Sequence, residues 1–271
     1  MKRFSAILRR KGYILLDKRQ RFAIQTIVLT VGILLTQLIW EDFRFVMVIL
    51  LSVATYPLTV WSLTEDILGT EWLLLFILPV FFVASLSLFY FLLPGRWFTR
   101  LTVTLVFAIG MYAILLVENI YNVALSRSIQ LLRAAQSVGL LLTLVVVFLC
   151  SNIVYSLRLP FWMNLFVLGI ICSVLAMQSL WSVKLEEKLT KPLYIYSFLV
   201  VGLGVGELVL ALSFWPIPNA SYSLLITASY YALVGVVQQH FLGRLFSNNI
   251  REYILVFVFS FILTFFTTKW G

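Results

Sequence analysis

Histidine occurs once in this sequence, at His240, cysteine twice, and aspartate only at Asp17, Asp42 and Asp66. One histidine excludes a His-rich metal site. Three scattered aspartates exclude the paired-Asp motifs with which membrane transferases hold Mg²⁺. No H-E-x-x-H, G-x-S-x-G, Walker A or C-x-x-C pattern occurs, which argues against an enzyme and calls for no cofactor. Cys150 and Cys172 fall in apolar runs whose depths differ by about 9 Å at 1.5 Å per residue. A disulfide needs its Cα atoms within about 7 Å, so two free, packed thiols are expected.

Charge is scarce as well, at 11% of 271 residues, against about 25% in a soluble domain. Hydrophobic residues make up 62% of the chain and mean hydropathy is +1.03. Apolar runs near the length that crosses a roughly 30 Å hydrocarbon core recur throughout. They lack the apolar/polar alternation of a membrane barrel. The fold class is therefore an all-α polytopic membrane protein of about nine transmembrane helices. The spans are expected near 22–40, 43–63, 72–93, 101–117, 136–155, 160–182, 193–214, 221–239 and 253–268. They form a single transmembrane domain over 22–271, after a basic segment at 1–21.

Loop charge sets the expected orientation. With the N-terminus inside, fifteen of the 20 Lys and Arg lie on the cytoplasmic side, eight of them in the first 21 residues. Arg44, Arg96, Arg100, Arg158 and Lys269 are left for the other side. The reading is a multi-pass protein of the plasma or inner membrane, N-terminus cytoplasmic and C-terminus outside. The start "MKRFSAILRRKGYILLDKRQR" has no small-residue cleavage site after the first span and reads as retained. Its partner is the bilayer: Phe4, Ile7, Leu8 and Leu15 share a face, and each basic residue contributes about 1 kcal/mol on anionic headgroups. The net charge of +9 thus reports topology, and no nucleic acid is expected.

A shift of about 120 residues aligns several features. "SV" at 52–53 meets 173–174, and "WS" at 61–62 meets 181–182. Each WS precedes an acidic pair, Glu65-Asp66 and Glu186-Glu187, and "LFYFLLPG" at 88–95 resembles "LSFWPIPN" at 212–219. The repeat reading gives one N-terminal helix plus two parallel four-helix repeats, 41–155 and 160–268, related by an axis along the membrane normal. Glu207 then aligns with Val83.

Ionisable groups within spans are costly, about 2.5–3.5 kcal/mol for Asp at a helix centre on insertion scales, and are functional candidates by default. Glu207 is the deepest. Gly202 and Gly206 give a G-x-x-x-G face, and Gly204 and Ala211 flank the carboxylate, so it is expected to point into protein or a wet cavity. Two roles compete: a packing hydrogen bond to a neighbouring helix, or a proton- or cation-binding group in a transport path. Thr227 and Tyr231 are candidate partners. They lie on a polar stripe of Ser223, Thr227, Tyr231, Gly235 and Gln239, matched in the second span by Ser52, Thr55, Thr59, Ser62 and Asp66. Such stripes are commonly helix-packing faces.

A second polar centre is expected at the cytoplasmic face. Glu118, Asn119 and Asn122 leave the fourth span, and Arg127 and Arg133 come next on an amphipathic segment. Gln239, His240, Arg244 and Arg251 hold the same place after the eighth span. The floor reads as interfacial snorkelling or as a site for a phosphate-bearing lipid or nucleotide-sugar. Three functions fit. The favoured one is a transporter or permease-like carrier with Glu207 in its path. The alternative is a non-catalytic membrane scaffold or subunit, homo- or hetero-oligomeric through its helices, and the third is a lipid-processing enzyme at the cytoplasmic face.

Overall fold

The computed structural model describes residues 17–38, 43–63, 71–93, 96–124, 130–185, 190–244 and 246–268. Residues 1–16 of the basic N-terminal segment, Arg127 and the two acidic pairs lie outside the described residues. Nine helices form among those described: α1 (Lys18–Leu38), α2 (Arg44–Leu63), α3 (Ile77–Tyr90, after a 3₁₀ turn Glu71–Phe76), α4 (Trp97–Ala124), α5 (Leu132–Ser156), α6 (Phe161–Lys184), α7 (Lys191–Leu212), α8 (Asn219–Phe241) and α9 (Ser247–Thr267). Eight of them, all but α1 and with α3 extended through its 3₁₀ turn to Leu73, are long and apolar enough to cross a membrane. α1 opens with Lys18, Arg19 and Arg21 and carries Gln25, which lowers its apolarity. The protein is an all-α polytopic membrane protein.

Proline and left-handed residues punctuate the helices. Pro160 and Pro218 precede α6 and α8, and Pro192 stands in the first turn of α7. There the missing N–H costs nothing, because first-turn amides have no intrahelical acceptor. α8 ends on Gly243 at φ +66, which lets the Gly243 and Arg244 amides turn back to the His240 and Gln239 carbonyls at 3.0 and 2.9 Å. α6 ends on Leu185 at φ 46, a conformation that crowds any side chain.

Contacts divide the chain into two compact units between Leu132 and Arg133. In the first, α1 packs on α2 and α4, and α3 packs on α2 and α4. Its core stacks Phe82 of α3 on Phe107 of α4, centroids 5.6 Å apart, beside buried Met111, Ile114 and Leu115. Apolar side chains on the outward face of α4, Trp97, Phe98, Leu101, Leu105 and Ile109, are exposed, as lipid contact requires.

In the second unit α6 packs on α7 and α8, α7 on α8, and α8 on α9. α5 is tied on by side chains at both ends. Gln136 donates to the Ser182 carbonyl at 2.7 Å, and Tyr155 stacks on Tyr222 with centroids 4.1 Å apart. Cys150 and Cys172 are free and buried, as their depths predict. The unit boundary falls ahead of α5, whereas the repeat reading places its junction after that helix.

Candidate functional site

The seventh span is not a regular α-helix. Residues Tyr196–Gly202 form a π-helical segment between the α-helical turns Lys191–Ile195 and Leu203–Leu212. Its i→i+5 hydrogen bonding widens the helix and rotates the downstream turns against a 3.6-residue period. The glycines of those turns serve helix contact. A Cβ on Gly202 would collide with Ser173 Oγ and lie 3.1 Å from the Gly169 carbonyl of α6, and one on Gly206 would touch Leu165 at 3.5 Å. Gly204 faces Leu233 of α8 at 3.1 Å.

Glu207 lies off these contacts. Of its two expected settings, protein interior or a wet cavity, the first does not hold: the side chain is exposed, in line with exposed Leu203, Ala211 and Phe214. The reason is angular. Gly206 precedes Glu207 by one residue, about 100° around the helix, so the face cleared of bulk is turned to α6 and away from the carboxylate. Its expected partners are engaged elsewhere: Thr227 donates to the Ser223 carbonyl of its own helix at 2.7 Å, and Tyr231 rests against Tyr253 of α9 with ring centroids 5.3 Å apart. Glu207 makes no hydrogen bond to a described residue.

The residues expected to form one cytoplasmic floor are divided between the units. Glu118, half-buried Asn119 and Asn122 belong to the first; Gln239, His240, Arg244 and Arg251 belong to the second. In the second unit His240 Nε2 and the Tyr196 hydroxyl are 3.0 Å apart at the exposed end of α8. Gln239 donates to the Tyr253 hydroxyl at 3.4 Å, and Arg244 and Arg251 are exposed. Arg133 is also exposed, at the start of α5.

In the first unit Asn122 reaches the end of α2 together with Arg21 and Gln25, which the polar-stripe and floor readings did not include. Gln25 Nε2 donates to Thr59 Oγ1 at 2.7 Å, and Ser62 Oγ donates to Gln25 Oε1 at 2.7 Å. Arg21, one turn before Gln25, donates to the Trp61 carbonyl at 3.4 Å, and Asn122 Nδ2 donates to the Leu63 carbonyl at 3.3 Å. Trp61 and Leu63 stand in the last turn of α2, where carbonyls have no intrahelical donor. The cationic and amide donors therefore cap α2 from α1 and α4, and a cation there also complements the helix dipole. Arg21, Gln25, Glu118 and Asn122 are all buried. A glutamine four residues after an arginine inside an apolar run was the available signal.

Most other hydroxyls of the polar stripes are satisfied within their own helices. Ser52, Thr55, Thr59 and Ser223 donate to carbonyls one turn back at 2.8 Å. That pattern suits helix packing rather than a conduit. Among the described residues no group of three His, Cys, Asp or Glu is placed to hold a metal ion.

No curated protein and no solved structure matches the chain. Residues 61–267 match the DUF5656 family, described as protein of unknown function. The match takes in the last turn of α2, all of α3 to α8 and α9, and so spans both compact units together with Glu118, Asn122 and Glu207. Since it covers well over half of its length, the chain belongs to the DUF5656 family.

Proposed function

We propose that this protein is a non-catalytic, multi-pass subunit of a membrane complex, docking a partner's transmembrane helix on the Glu207 face of α7. One observation carries the reading: a carboxylate lies exposed on an apolar face about 7.5 Å short of the end of its helix. Leu203 is 49% exposed and Phe214 73%, and Glu207 has no hydrogen-bond partner among the described residues. A charged group left to lipid at such depth is costly, and a partner span with a Lys, Arg or amide side chain removes the cost. The π segment just before this face supports the same reading, because such bulges often mark functional positions. A carrier with Glu207 in its path requires the carboxylate to line a passage, and exposure among Leu203, Ala211 and Phe214 supports docking more directly.

The test is site-specific photo-crosslinking in native membranes. A probe at Leu203 or Ala211, one turn either side of Glu207, is expected to yield one discrete adduct larger than the 31.1 kDa chain. Glu207→Gln keeps a hydrogen-bonding group and retains part of the yield, whereas Glu207→Leu abolishes it. An adduct of twice the chain mass means that a second copy occupies the face. No adduct from either position, or the same yield from Glu207→Leu, overturns the proposal.

A further inference from the structure

Where α5, α6, α7 and α8 meet at their 157–160 and 213–218 turns, the second unit holds an open cavity of about 570 Å³. That size falls in the range of small-molecule sites. Its polar walls are Tyr155, Ser156, Arg158, Asn164, Ser213 and Asn219, and among the described residues of the lining Arg158 is the one that is charged. Most donors in this wall are already committed. Tyr155 donates to the Ile217 carbonyl at 3.0 Å, Ser156 to the Asn152 carbonyl at 2.7 Å and Ser213 to the Val209 carbonyl at 2.8 Å. Asn219 donates to Ser156 at 2.7 Å, and the Asn164 amide nitrogen to the Leu159 carbonyl at 3.3 Å.

Two groups are left over. The Asn164 side-chain oxygen has no partner although Asn164 is only 5% exposed. A buried acceptor of this kind calls for a donor from a bound molecule. Arg158 is exposed at the rim, with its backbone held at φ 50. That conformation disfavours a side-chain-bearing residue and persists where surrounding structure requires it. The cavity thus has one strong cationic donor at its mouth and, on the lining residue Asn164, one unmet acceptor lying just beneath its wall. Around them stand three aromatic rings, Tyr155, Phe161 and Phe214, the last two with centroids 5.6 Å apart and exposed as a membrane lip should be.

We infer that this cavity binds a phosphate–ammonium zwitterion of the phosphoethanolamine class. Arg158 takes the phosphate as a charge-assisted pair, and the ammonium donates to the Asn164 oxygen among ring faces that favour a cation. A phospholipid headgroup and free phosphoethanolamine share this chemistry. The open, aromatic lip gives acyl chains a way out to the bilayer, and the experiment separates the two sources.

The protein, purified in detergent, is loaded with dioleoyl phosphatidylethanolamine, phosphatidylcholine or phosphatidylglycerol, and retained lipid is read by native mass spectrometry. Free phosphoethanolamine is titrated in parallel by calorimetry. Phosphatidylethanolamine is expected to be retained over both other lipids, since choline has no N–H donor and glycerol no cation. Arg158→Gln should lower its retention about tenfold, and Asn164→Leu about fivefold. Arg158 is exposed, so its variant keeps the test valid if Asn164→Leu fails to fold. Binding of the lipid alone assigns the headgroup in the bilayer, and binding of both forms assigns the headgroup regardless of chains. Equal retention of phosphatidylcholine or phosphatidylglycerol, or no effect of Arg158→Gln, overturns the inference.

Discussion

Gly169 and Gly202 meet backbone to backbone: a Cβ on Gly169 would lie 3.2 Å from the Gly202 carbonyl oxygen, and one on Gly202 would lie 3.1 Å from that of Gly169. So close an approach of α6 and α7 is available only to residues without a side chain, and it gives the dispersion contact that drives helix association in lipid. Gly202→Ala is therefore expected to destabilise the second unit by about 1–3 kcal/mol, outweighing the roughly 1 kcal/mol of helix propensity that alanine brings. Gly206→Ala meets Leu165 only at ordinary contact distance and should be neutral or mildly stabilising. Thermal unfolding of the two variants in detergent checks the contrast, and equal melting temperatures would refute it.

The Gln25 amide bridges Thr59 and Ser62, so its loss removes two hydrogen bonds between α1 and α2, although both hydroxyls keep a carbonyl acceptor within α2. Gln25→Leu should cost about 1–2 kcal/mol. In a double-mutant cycle with Ser62→Ala the coupling should fall near 0.6 kcal/mol and not exceed about 1.7, the range for hydrogen bonds between membrane helices. Strict additivity would mean that the pair contributes nothing to holding α1 on α2.

Arg158 sets stability against binding. Glycine adopts φ 50 freely and arginine only at a cost, so Arg158→Gly should raise unfolding stability by about 1 kcal/mol while losing headgroup retention. Arg158→Gln keeps the strain and loses retention alone. A melting temperature for Arg158→Gly at or below wild type would remove strain as the reason for the trade.

Tyr155 holds α5 in two ways, by its stack on Tyr222 and by its hydroxyl on the Ile217 carbonyl. Tyr155→Phe removes only the second and should cost about 1 kcal/mol. Tyr155→Ala removes both and should cost about 3–5 kcal/mol, as large-to-small aromatic substitutions do. Chemical or thermal unfolding that ranks the two together would show that the stack adds nothing.

Loop charge dictates orientation. A reporter placed at the α6–α7 turn is expected on the cytoplasmic side, and one after Thr267 on the opposite side. Accessibility labelling in intact cells reads both, and the reverse pattern would invert the assignment.

Composition alone settled the solvent. With 62% hydrophobic residues, the chain cannot hide its apolar surface from water, and helices satisfy their own backbone in lipid. Span positions were legible for the same reason, as were the starts of α6, α7 and α8, where proline stands in or just ahead of the first turn. The depth of Cys150 and Cys172, and hence their failure to pair, was also readable, because rise per residue is constant along a helix.

Direction around each helix was a different matter. Glu207 looked enclosed because glycines surround it in sequence, yet the π segment Tyr196–Gly202 and the Gly169–Gly202 contact turn Gly202 and Gly206 to α6, Gly204 faces α8, and the carboxylate is left outside. Arg21 read as part of a headgroup anchor, and only the packing of α1 beside α2 made it a cap on the Trp61 carbonyl. The unmet acceptor of Asn164 and the strained Arg158 came together through turns near 158 and 215 that carry no shared sequence pattern. A sequence specifies how apolar a helix is and where it starts. Which face meets which neighbour depends on local register and on side chains from distant helices, and for this protein those contacts decide where each candidate residue lies.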